Sequence, residues 1–546
     1  MDSCPILIVI PARGGSKGIP RKNLRPLAGR PLLSYSVGTA LACGLGADVC
    51  VSSEDDEILR LAESLGAVPI RRPEELAGDR VTLDPVIHDA MARMRERTGR
   101  DYGLVVTMQP TSPLLRKESL AAAVRRMLES PELDTVISAR EDAHLSWRKE
   151  GDRFVPNYAK RLNRQQLPPE YRETGGFFVS RAGIVTPAGR IGTNVGLHIL
   201  SGAETIDIDG FDDWSLCEYH LRHRKVLFVV SGYPEIGMGH VYNTLILAHE
   251  ILEHEVQFLV DSRSALARDK IASSNYPVRM QERPDIVDDI AEIDPDVVIN
   301  DRLDTEADYV LRLKGKGYTV INFEDLGEGA RHADLVVNAI YPETVPRDRH
   351  YYGHRYFALR DEFLRAPEKE IRPEVREVLL TFGGVDPGNF TRKVLGEIYP
   401  DCAARGISIV VIAGPGYARY DTLAGFPEAR ILRDVTDIAV HMARADVVFT
   451  SAGRTTYEIA SIGTPAIVLA QNERETTHFF ASAEYGFLNL GLGASLPPGK
   501  IKEAFELLAG DPALRASMRK AMRAVDIRKS KQNVIRLISE TIRSAR

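Results

Sequence analysis

At 546 residues the chain is too long for one hydrophobic core, and roughly three or four domains are expected. Its 44% hydrophobic and 27% charged residues fit an ordinary soluble globular protein, and a formal net charge of −6 argues against a nucleic-acid binder. Cys4, Cys43, Cys50, Cys217 and Cys402 have no CxxC spacing and read as reduced thiols. No apolar run reaches membrane-spanning length and no secretory leader is recognisable, so a cytoplasmic protein is expected.

The first element is a short apolar run, residues 6–10, which reads as a buried parallel strand. Pro11 breaks it into a loop holding Gly14, Gly15 and Gly18, where the backbone can come close to a ligand. Arg13, Lys17, Arg21 and Lys22 stand in the same loop. Amides and cations with few bulky side chains suit the phosphates of a nucleoside triphosphate. A solvated basic turn has the same composition, and the spacing is neither GxxxxGK[ST] nor GxGxxG.

Residues 31–43 read as an amphipathic helix, 47–53 as a second strand, and 55–65 and 84–97 as further helices. Residues 102–109 form a strong strand pattern ending in Gln109-Pro110-Thr111-Ser112-Pro113. This alternation implies an α/β domain with a mostly parallel sheet, in which ligands bind at the carboxyl ends of strands, where both loops fall. Residues 141–172, rich in charge, proline and aromatics, read as an insertion. Thr205-Ile206-Asp207-Ile208-Asp209 reads as a strand whose alternation puts Asp207 and Asp209 on one face. Such a pair can share Mg²⁺ with phosphate oxygens. Asp212, Asp213 and Glu218 begin and decorate a helix that closes the first half.

The order of residues is more specific than the composition. Ala12-Arg13-Gly14-Gly15-Ser16-Lys17-Gly18 with Lys22-Asn23 is followed by Gln109-Pro110-Thr111-Ser112-Pro113-Leu114-Leu115-Arg116 and Arg164-Gln165-Gln166-Leu167-Pro168. This series resembles the CMP-acylneuraminate (CMP-sialic acid) cytidylyltransferases over roughly the first 225 residues. The resemblance implies a Rossmann-like nucleotidyltransferase (GT-A-like) domain in residues 1–224. It would transfer CMP from CTP to a 2-keto sugar acid, a nonulosonic acid, with release of pyrophosphate. Arg13, Lys17 and Lys22 match its triphosphate-binding cations, and Asn23, Thr82 and Gln109 match residues of the nucleotide and sugar pocket. Arg164 would hold the sugar carboxylate by a bidentate contact. Asp207 and Asp209 match its Mg²⁺ motif, and residues 141–172 its homodimer contact. One departure is Thr174-Gly175-Gly176-Phe177-Phe178, where sialic acid members read NGAIY. The missing amide and phenol imply a sugar other than ordinary N-acetylneuraminate. No histidine or carboxylate stands out as general base.

A helix over 213–224 runs into a new strand, 226–230, with no Gly/Ser-rich linker, so the modules are expected to be held close. The loop 231–239, with Gly232, Gly237 and Gly239, leads to His240 at the start of a helix. Strands recur at 256–260, 297–300, 319–323 and 335–338, then, after a proline- and charge-rich crossing at 366–376, at 378–382, 407–413, 447–450 and 466–469. Residues 225–368 and 369–546 thus read as the two Rossmann-like lobes of a GT-B module. Its last helix, 529–543, is expected to cross back to the first lobe.

Gly237-Met238-Gly239-His240 is followed by Tyr356-Phe357-Ala358-Leu359-Arg360-Asp361-Glu362-Phe363, Phe382-Gly383-Gly384-Val385-Asp386 and Ala413-Gly414-Pro415-Gly416-Tyr417. Then comes Ser451-Ala452-Gly453-Arg454-Thr455-Thr456-Tyr457-Glu458. Together they resemble the UDP-sugar hydrolase of the pseudaminic acid pathway. The resemblance implies a nucleotide sugar, UDP-linked, bound at Gly453, Thr455, Thr456 and Glu458, with His240 as the base that activates water. From the residues alone, Thr455 and Glu458 form a capping box, and that helix N-terminus is also an anion site. Two departures are Asn243, where the GHxxR motif has arginine, and Asn472-Glu473, in place of an NQ pair. The chain reads as a bifunctional enzyme of nonulosonic acid metabolism. Alternatives for the second half are a glycosyltransferase that uses the CMP-sugar and a non-catalytic nucleotide-sugar-binding module.

Overall fold

Ile6–Pro11 (β1) is apolar throughout and buried throughout, and it becomes an interior strand of a seven-stranded sheet. With it run Asp48–Ser53 (β2), Val68–Arg71 (β3), Leu104–Met108 (β4), Thr135–Glu141 (β5), Tyr171–Arg181 (β6) and Val195–Ile199 (β7). Their order is β7-β5-β6-β4-β1-β2-β3, and β6 alone is antiparallel to its neighbours. The chain leaves β1 toward β2, whereas β4 lies on its other side. The loops after β1 and β4 therefore flank a topological switch point. The structure, a computed structural model, describes residues 4–544 except 17, 79, 368, 434 and 436; Lys17 and the side chain of Arg164 lie outside the described residues.

The chain divides into two units, Met1–His223 and Arg224–Arg546. In the first, the helices Leu32–Ala42, Asp56–Ser64, Leu83–Thr98 and Lys117–Glu129 cover the sheet. The insertion forms a hairpin, Trp147–Glu150 with Arg153–Pro156, outside the main sheet. Residues 205–209 are not a strand. A 3-10 turn, Gly202–Thr205, leads into an extended segment whose Ile208 N–H donates to the Thr111 carbonyl at 2.9 Å. Extension alone preserves the alternation, with Ile208 buried and Asp209 exposed.

The second unit contains two sheets. Lys225–Val230 (β8), Glu255–Val260 (β9), Val278–Met280 (β10), Val297–Asp301 (β11), Thr319–Phe323 (β12), Leu335–Asn338 (β13) and His350–Tyr352 (β14) are parallel in the order β10-β9-β8-β11-β12-β13-β14. Glu377–Leu380 (β15), Ser408–Ala413 (β16), Arg430–Arg433 (β17), Val447–Thr450 (β18), Ala466–Ala470 (β19) and Phe487–Leu492 (β20) run β17-β16-β15-β18-β19-β20. Two Rossmann-like lobes in series make the GT-B arrangement. Each lobe has its own switch point, between β8 and β11 and between β15 and β18. These ends face one another. A methyl on Gly384 would lie 2.9 Å from Met238, and one on Gly239 would lie 3.4 Å from Arg454.

The helix Ser530–Arg543 packs Val534, Leu537, Ile538 and Ile542 into the core built on Val226 and Phe228, so it does cross back to the first lobe. All five cysteines are free. Among the described residues no helix is long and apolar enough to cross a membrane.

Candidate functional site

In the first unit, the glycine loop after β1 closes on itself and on the acidic segment. Asn23 is buried and donates its amide to the Arg13 carbonyl at 2.9 Å, which ties the two ends of the loop. Gly14 N–H donates to Glu54 at 2.7 Å. Gly18 has no room for a side chain, because a Cβ there would sit 2.7 Å from the Asp209 carbonyl oxygen. Lys22 donates to the Ile208 carbonyl at 2.5 Å. Burial lowers its ammonium from the ordinary lysine value, opposed by Asp207 and Asp209. Burial also raises the Asp207 carboxyl, with the Thr111 hydroxyl opposing and the Asp209 charge reinforcing that rise.

Gly175 faces the same place with φ +72, and a Cβ on it would meet Asp207 Oδ2 at 3.2 Å and Gln109 Nε2 at 3.3 Å. Lys22, Asp207, Asp209 and Gln109 therefore gather at the switch point. Arg13 acts electrostatically on Lys22. Arg21 turns instead to Glu57 and Asp55. Thr82 is exposed at the N-terminus of Leu83–Thr98 and makes no side-chain capping bond. Asp207 Oδ1 is buried without a hydrogen-bond partner. An orphaned carboxylate oxygen beside a second carboxylate suits a hard divalent cation such as Mg²⁺. Among the described residues no cluster of three or more histidine, cysteine or acidic side chains could hold a metal, so the pair would need substrate or water oxygens as further ligands.

In the second unit, the first lobe presents His240 and the second presents the loop after β18. His240 Nδ1 lies 2.5 Å from Asp301 Oδ1, and Asn243 Nδ2 donates to Asp301 Oδ2 at 2.6 Å. Arg454 crosses from the other lobe, donating to Asn243 Oδ1 at 2.6 Å and pairing with Glu324 at 3.3 Å. The arginine expected at position 243 is absent, yet a guanidinium reaches the same place from position 454. Glu324 is 2% exposed, has a left-handed backbone with φ 51, and its carboxyl is pushed up to about 7 by burial, against the pull of Arg454. The expected capping box does not form. Arg454 is the N-cap without a side-chain bond, Thr456 Oγ1 donates back to Gly453 O at 2.8 Å, and Glu458 is taken by Arg360 at 2.8 Å. A charge-assisted partner from 98 residues away outcompetes the local amide. Thr455 opens the helix Thr455–Ile462 beside Gly453.

Residues 7–181 match the cytidylyltransferase family model. Asp207, Asp209 and the whole second unit lie outside that match. An uncharacterized protein of Methanocaldococcus jannaschii is 30% identical over an aligned length of 313 residues, with 49% of this chain and 64% of that protein covered. The pseudaminic acid cytidylyltransferase of Campylobacter jejuni is 38% identical over 125 residues, 23% of this chain and 53% of that enzyme. The spore coat polysaccharide biosynthesis protein SpsG of Bacillus subtilis is 26% identical over 313 residues, 54% of this chain and 92% of that protein. The chain spans less than two thirds of the length of the first two.

Several residues that shape these sites carry no local signal in the sequence. Glu54 belongs to no recognisable motif, and Thr111 stands inside the Gln109–Arg116 run without a role that the run itself assigns. Asp301 ends a strand that begins with three apolar residues, which is a usable hint, because a carboxylate at the carboxyl end of a strand by a switch point faces the crevice. Glu324 and Arg454 acquire meaning only from the contact between lobes.

Proposed function

We propose that the first unit transfers CMP from CTP to a nonulosonic acid and releases pyrophosphate. The observation that carries this reading is the closure of the cationic glycine loop onto Asp207 and Asp209 through Gly18 and Lys22. The cytidylyltransferase match and the pseudaminic acid cytidylyltransferase relative support it. The anomeric hydroxyl attacks the α-phosphorus, a new C–O–P linkage forms, and the α–β phosphoanhydride bond breaks. Arg13, Lys17 and Lys22 offset charge on the phosphates, and Gln109 and Arg164 orient the sugar acid. Asp207 and Asp209 would hold Mg²⁺, which when bound neutralises charge on the phosphate oxygens. The segment Thr174-Gly175-Gly176-Phe177-Phe178, which lacks the amide and phenol of NGAIY, suits a sugar acid other than N-acetylneuraminate. Two copies would pair through residues 141–172, where Trp147 and Phe154 are 54% and 70% exposed. A CTP-dependent pyrophosphate-release screen over a panel of nonulosonic acids tests the reading, and no release with any of them overturns it.

For the second unit we propose turnover of a UDP-linked sugar by hydrolysis, in the cytoplasm and in the same pathway. The His240–Asp301 pair carries this reading. A carboxylate that accepts from Nδ1–H leaves Nε2 as the acceptor that takes a proton from water. UDP would lie against Gly453, Thr455 and Thr456. Glu458 reaches the ribose only if it leaves Arg360. Product analysis separates hydrolysis, which yields UDP and free sugar, from glycosyl transfer out of a CMP-sugar and from binding without turnover.

A further inference from the structure

We propose that Arg454 is a positioning residue for His240, acting on it from the facing lobe through Asn243 and Asp301. The inference rests on the reading of His240 as the base of the second unit. The three hydrogen bonds form an unbroken chain, with Arg454 Nη2 donating to Asn243 Oδ1, Asn243 Nδ2 donating to Asp301 Oδ2, and His240 Nδ1 donating to Asp301 Oδ1. Each link fixes the next. A guanidinium only donates, so the Asn243 oxygen must face Arg454 and its NH₂ must face Asp301. Asp301 has no exposed surface and Asn243 is 2% exposed, so water is not at hand to replace a lost link. With one oxygen held by Asn243, the carboxylate presents the other to His240. The ring is then kept in the form with hydrogen on Nδ1 and a lone pair on Nε2.

Charge points the same way. Asp301 and Glu324 bring two carboxyl groups into the cleft, and Arg454 is the cation between them, with its guanidinium also 4.4 Å over the Phe357 ring. Of the other groups close by, His478 is held neutral by burial, which pushes it down to about 4, and donates from Nδ1 to the Ala452 carbonyl. Tyr341 and Tyr457 stay protonated, their hydroxyls raised by burial. Arg474 is committed to Asp304 and Tyr341. Removing Arg454 therefore leaves Asp301 and Glu324 facing each other without a cation and frees the Asn243 amide to turn. The base is complete only where the lobes meet.

The test is the ring form of His240 in ¹⁵N-histidine NMR spectra of the full-length protein, with His240→Gln giving the assignment. The wild type is expected to show a single form, protonated at Nδ1. Arg454→Met, and independently Asn243→Leu, which keeps the branched shape but breaks the chain, should lose that single form and show both ring tautomers. Arg474→Met, which cuts another arginine clamp between the lobes, should keep it. A single Nδ1–H form in both Arg454→Met and Asn243→Leu overturns the assignment, as does equal mixing in Arg474→Met. No substrate is needed, so the result is read separately from whether the unit turns over a UDP-sugar.

Discussion

The closest structural constraint on the first site is Gly18, and replacing it by alanine tests how the site is assembled. The added Cβ would lie 2.7 Å from the Asp209 carbonyl oxygen, whereas ordinary contact begins at 3.4 Å, so the gap must widen by 0.7 Å. The obstacle is backbone and does not yield easily. Asp213 accepts from Asp209 N and Gly210 N at 3.0 Å each, and Ile208 N is fixed to Thr111. Relief of the overlap costs about 1–3 kcal/mol, the range for forcing extra atoms into a packed place. It also moves the carboxylates away from Lys22. A misplacement near 1 Å can lower a rate by about 10²-fold, so CTP-dependent pyrophosphate release is expected to fall by roughly 10- to 100-fold. The control is Gly38→Ala in the helix Leu32–Ala42, where a Cβ meets nothing within 4 Å. That change should keep activity and stabilise the unit by about 0.5–1 kcal/mol. A folded Gly18→Ala protein with undiminished release would refute the proposed closure of the loop on the acids.

Asp207→Asn should abolish pyrophosphate release yet stabilise the ligand-free unit at neutral pH. The folded carboxyl is raised by burial, so its ionised form is disfavoured in the fold at pH values above the ordinary aspartate range. Thermal unfolding at pH 7 against pH 3, where both side chains are neutral, checks this: the gain should appear only at the higher pH. Glu324 is likewise raised to about 7 from an ordinary 4.5, so the second unit should lose stability as pH rises from 4.5 to 7 and level off above. Glu324→Gln should flatten that slope in denaturant titrations, and an unchanged slope would count against it. His240→Ala should lower UDP-sugar turnover by roughly 10²–10⁴-fold while UDP binding, measured calorimetrically, persists.

The buried strands were legible because a continuous apolar run such as Ile6–Pro11 has few alternatives once it is bounded by a loop. Short strands at or near the sheet edges, such as Val278–Met280 and His350–Tyr352, carry too few residues to show a period. The pairing of Asp207 with Asp209 was readable from alternation, but their backbone was not. Whether an extended segment joins a sheet depends on a neighbouring edge that the segment itself does not encode. The capping box failed for a related reason: Thr455 and Glu458 have the right spacing, but Arg360 claims Glu458 from a distant part of the chain. Asn243 read as the loss of a cation, because the compensating Arg454 stands 211 positions away. What the sequence made visible was set by local order, and what it hid was set by which lobe faces which.

The helix Ser530–Arg543 bears on how this protein is made. Val534, Leu537, Ile538 and Ile542 form part of the same core as Val226 and Phe228, yet they leave the ribosome only after both sheets of the unit have been synthesised. At roughly 5–20 residues per second, β8 waits some tens of seconds for the wall that covers it. During that interval the first lobe shows an apolar face, which makes it a natural client of chaperones. A message cut short before this helix would yield a chain that still carries His240, Asn243, Asp301 and Arg454, but with the first three on a lobe that cannot close.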